Sequence, residues 1–248
     1  RRQRQMCIRD SDTSFPNASV ETLLHAFLPH KFVDHSHSNA ILSLIDQPNP
    51  EKICKDVFGD EMGIVPYIMP GFELAKKASE VFDKNPNVKG LILLNHGIFT
   101  FANNAKESYE RMIKYITKAE KELTKKSKRI RVSKYVEKKI SISEVSNLIR
   151  QQIANKRGDD FERKVVHFNK PKFFDELFSH PNLKKFTNEG PVTPDHVIRI
   201  KSKPLIIDLS KEKSNDLEKF IIQSIESFKE NYKKYFKRNH KYNYSASM

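Results

Sequence analysis

Apolar and polar residues follow one another along this chain in short blocks whose period changes repeatedly, and the changes mark the predicted elements. Over residues 19–28, Leu23, Leu24 and Phe27 fall on one helical face, and Pro29 ends the run. Residues 31–37 read as a short strand with Phe32 and Val33 turned inward. Helical spacing returns over 41–45 and 50–58, separated by the turn Gln47-Pro48-Asn49-Pro50. Residues 63–69 are a second strand candidate closed by Pro70-Gly71, and 72–82 a helix broken by Asn85-Pro86-Asn87. Residues 88–95 are apolar through Leu91-Ile92-Leu93-Leu94, the pattern of a strand covered on both faces. Gly97 turns the chain into a paired strand over 98–101. A long helix over 104–125 follows, with an apolar stripe at Met112, Ile116, Ala119 and Leu123.

Beyond Lys125 the pattern loosens. A basic linker leads to a predicted helix over 143–155 and a strand candidate over 164–168. A loop-rich stretch with Pro181, Pro191, Pro194 and Pro204 precedes a last strand candidate over 205–209. Asn215 and Glu218 have the spacing of a capping box for a final helix that buries Leu217, Phe220, Ile221, Ile225, Phe228 and Tyr232. The expected division is a core over 12–128, a C-terminal helical or mixed extension over 129–240 and a polar tail over 241–248.

Composition adds restrictions rather than a function. Hydrophobic residues make up 38% of the 248, enough for a core, while a mean hydropathy of -0.65 describes a very polar surface. No apolar run approaches the roughly 18–20 residues of a membrane span. Cys7 and Cys54 are the only cysteines, which argues against a disulfide scaffold and for a reducing, cytoplasmic setting. The net charge of +14 raises the question of nucleic acid. Lysine, asparagine and isoleucine are nevertheless abundant along the whole chain. The densest basic run, from Lys125 to Lys139, carries a single aromatic residue, Tyr135, so no stacking platform for bases is expected. The opening residues 1–11, RRQRQMCIRDS, have no periodicity. MCIRDS is the in-frame translation of a common library-preparation adapter, so this stretch is expected to stand in place of natural sequence, with the domain shortened at its N-terminus.

Candidate chemistry gathers in the first half. Asp34-His35-Ser36-His37 lies at the end of a predicted strand, where alternation puts His35 and His37 on one face. Two neighbouring imidazoles can chelate one divalent ion, although a lone His-x-His is more often two solvent-facing or hydrogen-bonded histidines. His96 sits where the apolar strand meets a turn, and Gly97 allows the backbone to approach closely. Glu21, in a first helical turn, has an ordinary reading as a carboxylate favoured by the helix dipole.

Taken together, these motifs resemble the class II aldolase/adducin family. The resemblance is carried by Glu21 with His25, by Val33-Asp34-His35-Ser36-His37, by Val65-Pro66-Tyr67 and by Leu94-Asn95-His96-Gly97-Ile98, spanning about residues 19–123. It is closest to the aldolase half of bifunctional rhamnulose-1-phosphate aldolase/short-chain dehydrogenases. There the stretch from Glu21 to Pro29 and the later Thr193-Pro194-Asp195-His196-Val197-Ile198-Arg199 have parallels.

The resemblance implies an α/β fold of three layers, α/β/α, whose central sheet is mainly antiparallel with a metal site at one edge. It implies zinc, or another divalent transition metal, on His35, His37 and His96, with Glu21 as the catalytic acid/base. The reaction implied is cleavage of a ketose 1-phosphate to dihydroxyacetone phosphate and an aldehyde, the ion stabilising the enediolate. Ser19 matches a phosphate-contacting position, and a homotetramer is the implied assembly of the complete protein. No tyrosine is assigned to the leaving oxygen. No Gly-x-Gly-x-x-Gly occurs, so no nicotinamide site is expected. Sugar-phosphate epimerases and a dehydratase reuse the same histidines, and an adducin-like binding module without catalysis is the alternative of a different class. Neither a nucleic-acid nor a membrane partner is expected.

Overall fold

Strands that read as continuous apolar runs need cover on both faces, and the apolar runs at Gly90–Leu93 and Gly97–Ala102 receive it. The computed structural model describes residues 19, 21–126, 141–157, 160–162, 164–169, 173–193, 196, 200–209 and 216–240. The chain divides into two compact units, one of residues 1–129 with 191–201 and one of residues 130–190 with 202–248. The opening segment 1–11 and the tail 241–248 lie outside the described residues.

In the first unit the order is α1 (Thr22–Phe27), β1 (Phe32–Ser36), α2 (Asn39–Ile45), α3 (Pro50–Phe58), a 3-10 turn (Gly59–Glu61), β2 (Met62–Val65), α4 (Phe72–Lys84), β3 (Gly90–Leu93), β4 (Gly97–Ala102) and α5 (Ala105–Lys126). The four strands form one sheet in the order β1-β4-β3-β2. β1 pairs antiparallel with β4 and β4 with β3, while β2 runs parallel to β3. Parallel neighbours need a crossover, and α4 supplies it. The sheet is therefore mixed and mainly antiparallel.

Alternation along β3 and β4 sends side chains to two separate cores. Ile92 and its partner Ile98 pack with Ile41, Ile45 and Phe58 of α2 and α3 and with Met112, Tyr115 and Ala119 of α5. Leu91, Leu93, Phe99 and Phe101 face the other way, onto Leu24 of α1 and Leu74, Ala78 and Phe82 of α4. Helices thus cover both faces, giving the three layers expected. Each fully buried Leu, Ile or Phe contributes about 1.5–3 kcal/mol, so each core is held by its apolar contents rather than by the exposed ion pairs around it.

Three details differ from the sequence pattern. Phe32 is 38% exposed rather than buried, because it opens the edge strand and has a neighbouring strand on one side only. β2 stops at Val65 instead of running to residue 69, since Pro66 has no N–H to continue the ladder. The buried stripe of α5 includes Tyr115, fully enclosed between Met112 and Ala119, while Ile116 and Leu123 are half-buried.

The second unit is described by itself. Its elements are α6 (Ile142–Ile153), a hairpin of β5 (Asn155–Arg157) and β6 (Asp160–Glu162), α7 (Phe173–Phe178), α8 (Leu183–Asn188) and α9 (Leu217–Asn239). The Ser141 hydroxyl caps α6 by accepting from the Glu144 N–H. α9 is capped by Asp216, which accepts from the Lys219 N–H at 3.0 Å. The capping box expected from Asn215 and Glu218 is thereby displaced by one residue, and Asn215 lies outside the described residues. Ile221 and Ile225 are the fully buried residues of α9, while Leu217, Phe220, Phe228 and Tyr232 are half-buried. The strand candidates at 164–168 and 205–209 are irregular, and neither joins a ladder among the described residues. Among the described residues no helix is long and apolar enough to cross a membrane.

Candidate metal centre

Four side chains from three stretches of the first unit meet at one end of the sheet. Glu21, His35, His37 and His96 each offer one ligand atom, and these atoms all lie within 4.8 Å of one another.

His35 is placed by register and by stacking. It stands opposite Phe99 across the β1–β4 ladder, and its ring lies flat on that phenyl, centroids 4.0 Å apart at 13°. Its Nδ1 lies 3.0 Å from the Ile98 carbonyl oxygen. A carbonyl only accepts, so Nδ1 carries a proton and Nε2 is turned to the centre. There it lies 2.8 Å from His37 Nε2 and 3.2 Å from Glu21 Oε1. His37 follows two residues later on the same face, as strand alternation requires, with its Nε2 3.8 Å from the same carboxylate oxygen.

His96 comes from the three-residue loop between β3 and β4, which pair Leu93 with Gly97. Asn95 takes the left-handed conformation, φ 56°, which asparagine tolerates better than most residues. The His96 N–H closes the turn onto the Leu93 carbonyl at 3.1 Å. His96 itself is 1% exposed, and its Nε2 is 3.0 Å from Glu21 Oε1. Gly97 makes the convergence possible. A Cβ there would stand 2.6 Å from the Ser36 carbonyl oxygen, 3.0 Å from His37 Cδ2 and 3.2 Å from His35 Cε1. The backbone of the turn and the two imidazoles share a space with no room for a methyl group.

Glu21 occupies the N-cap position of α1, and its backbone N–H donates to the Ser19 hydroxyl at 3.2 Å. Ser19 is exposed and sits beside the group rather than in it. Hydrogen bonds from His35, then from His96, hold the Glu21 carboxyl well below the usual carboxylate range, outweighing the opposing effect of burial. His25, one turn along α1, packs edge-on against Phe99, and burial lowers its pKa.

The donor set fits a divalent ion. Two imidazole nitrogens and a carboxylate oxygen within about 3 Å need a proton or a cation among them, since their lone pairs otherwise repel. Zinc bonds of about 2.0–2.1 Å in a tetrahedron put donor atoms roughly 3.3 Å apart, and the separations above bracket that value. Exposure rises from His96 through His35 to Glu21 and His37, so the group opens to solvent on the side of Glu21 and His37.

Three partners escaped the sequence pattern. The Ile98 carbonyl and the Phe99 ring orient His35, and Asp46, at the end of α2, accepts from Asn95 Nδ2 at 3.1 Å. Burial raises the Asp46 carboxyl above its ordinary value, and the Asn95 amide opposes that rise. Asn95 directly before His96 was the one visible signal, as a residue type that accepts positive φ.

Residues 4–123 match the Class II Aldolase and Adducin N-terminal domain, and residues 141–248 match the second domain of Aldolase class II. Uncharacterized oxidoreductase YuxG of Bacillus subtilis (strain 168) is 29% identical over 239 residues, covering 92% of this chain and 34% of that protein. The chain thus spans about a third of the length of that relative. The structure of the N-terminal Class II Aldolase domain of a conserved protein from Thermoplasma acidophilum is 43% identical, covering 45% of this chain and 51% of that one at a TM-score of 0.41. An aldolase II superfamily protein from Pseudomonas syringae is 12% identical, over 46% of this chain and 49% of that one, with a TM-score of 0.38.

Proposed function

Because the chain belongs to the class II aldolase/adducin family, we propose that it is a metal-dependent aldolase acting on a ketose 1-phosphate of the rhamnulose 1-phosphate type. The products are dihydroxyacetone phosphate and an aldehyde. The observation that carries this reading is the convergence of His35 Nε2, His37 Nε2 and His96 on Glu21 Oε1.

His35, His37 and His96 would hold the ion, zinc or another divalent metal that imidazole suits. When bound, that ion supplies a Lewis acid for the carbonyl and neighbouring hydroxyl of the substrate. The chain's own residues supply the rest. Ile98 and Phe99 keep the His35 ring fixed. His96, buried under the turn, closes the inner side of the site to water. Glu21 is ionised and open to solvent, so its Oε1 can take up a proton and return it to the carbon left electron-rich when the carbon–carbon bond breaks. Ser19, exposed two residues before Glu21, is the proposed phosphate contact on this chain.

Further parts of the proposal rest on the resemblance. The complete protein is read as a cytoplasmic homotetramer, and Tyr67, Met69 and Phe72, exposed on one short stretch, are available for a subunit contact. A short-chain dehydrogenase half is proposed for the complete protein, supported by the greater length and the printed name of the Bacillus subtilis relative.

The test combines metal content with turnover. The purified chain carries one divalent ion, and the His35→Ala/His37→Ala double variant carries none. Glu21→Gln keeps the ion and loses at least about 100-fold in kcat for release of dihydroxyacetone phosphate. Metal retained by the double variant would refute the ligand assignment. Conversion of the sugar phosphate to an isomer or a dehydrated product would replace the aldolase by another reaction of the family.

A further inference from the structure

His37 and His96 reach the centre from distant parts of the chain, and a single helix joins them. Ser38, the residue after His37, is the N-cap of α2, and Asp46 is its C-cap, with the Asp46 N–H donating to the Leu42 carbonyl at 3.0 Å. Between them Ile41, Leu42, Leu44 and Ile45 are all buried, so the helix is anchored in the core along its length. At its far end Asp46 Oδ1 accepts from Asn95 Nδ2 at 3.1 Å. Asn95 directly precedes His96 and holds the left-handed conformation on which the turn depends. α2 is therefore a strut about 10 Å long, leaving the centre at His37 and returning to it through a side-chain clasp.

We propose that Asp46 is a positioning residue: by holding the Asn95 amide against the end of α2, it fixes the turn that aims His96 Nε2 at His35, His37 and Glu21. Backbone bonds of β3 and β4 end at Leu93 and Gly97, so the loop residues 94–96 depend on other restraints. One is the His96 N–H bond to Leu93, another the Leu94 N–H bond to the Val65 carbonyl at 3.0 Å. The first holds the N–H of the peptide between Asn95 and His96; the clasp adds a side-chain restraint on Asn95 itself, the residue whose left-handed conformation carries the turn. The Asp46 and Asn95 side chains are exposed, so their bond contributes little to global stability. Its effect falls on the direction of one imidazole, where small displacements change ligand affinity strongly.

This inference rests on the reading of the three histidines as ligands, and cobalt(II) titration of the full chain tests the two separately. Asp46→Ala weakens cobalt(II) binding about tenfold or more and alters the visible d–d spectrum, as loss of an orienting partner does. Asp46→Asn, whose amide oxygen still accepts, stays within about threefold of wild type. Asn95→Gly keeps the left-handed turn accessible but removes the amide, and it loses as much as Asp46→Ala. The double variant Asp46→Ala/Asn95→Gly loses no more than either single one, since both remove the same bond. Melting of the metal-free variants alongside wild type shows that the fold is intact. If Asp46→Ala failed to fold, Asn95→Gly would decide alone. Unchanged affinity and spectrum in Asp46→Ala or Asn95→Gly would overturn the clasp. So would equal losses in Asp46→Ala and Asp46→Asn, which would assign the effect to charge. Wild-type protein that binds no cobalt(II) would instead remove the ligand reading, and this proposal with it.

Discussion

Replacing Gly97 by alanine sets two physical effects against each other at the centre of the site. Gly97 is not among the residues with positive φ, so alanine can adopt its backbone conformation. Considered by conformation alone, Gly97→Ala stabilises by about 0.4–1 kcal/mol, because the unfolded chain loses freedom. Space argues the opposite. The new Cβ would lie 2.6 Å from the Ser36 carbonyl oxygen, far inside ordinary contact, and close to both His37 Cδ2 and His35 Cε1. Ser36 is paired with Ile98 in the β1–β4 ladder, so the oxygen yields only if the edge strand moves with its histidines. Such overpacking costs about 1–3 kcal/mol, and the net expectation is a loss of about 1–2 kcal/mol. For a unit of this size the melting temperature falls by roughly 3–8 °C. Zinc affinity, read by competition with a chromophoric chelator, falls at least about tenfold because two ligands are displaced together. Gly59→Ala is the control: its Cβ meets nothing within 4 Å, but φ is +63°. With ψ at -145° Gly59 lies in a region kept almost wholly for glycine, so the change costs about 1–3 kcal/mol through backbone strain and leaves zinc affinity unchanged. A Gly97→Ala protein that melts at or above wild type with unaltered zinc affinity would refute the packing argument.

Two further expectations concern the scaffold. Glu61 accepts from Lys114 at 2.7 Å and Lys118 at 2.8 Å, tying the 3-10 turn to α5, and these bonds lower its pKa from 4.5 to about 2. A lowered carboxylate pKa stabilises above the unfolded value and is lost as pH falls through the folded value. Glu61→Gln should therefore lower the unfolding free energy from urea titration at pH 7 by under about 1 kcal/mol, the groups being well exposed. The difference should disappear between pH 4.5 and about 2; a gap persisting at pH 2 would contradict the ion-pair account. Cys54 is 1% exposed, and burial pushes its thiol up to about 12. Iodoacetamide at pH 8 should leave it unmodified in peptide maps until denaturant is added. Rapid labelling of the native protein would show that α3 opens readily.

The extents of α3, α4 and α5, most of α2 and the paired run at β3 and β4 were legible in the sequence because their apolar periods are strong, with Gly59 closing α3 and Asn85 closing α4. The same alternation put His35 and His37 on one face, and the resemblance supplied Glu21 and His96 as their companions. The second unit was less legible. Among the described residues its two expected strands join no ladder and its helices bury few side chains, so periodicity there has little burial to report. Phe32 also misled, since an apolar residue in a strand pattern does not reveal that the strand lies at an edge. Only the tertiary structure decided how the centre is held. The Ile98 carbonyl on His35, the space denied at Gly97 and the reach of Asp46 to Asn95 join residues separated by 63, 61 and 49 positions along the chain. Local pattern records the face on which a side chain lies. The distance at which it meets its partners is set by the packing of α2 and β1 against a sheet assembled from distant segments.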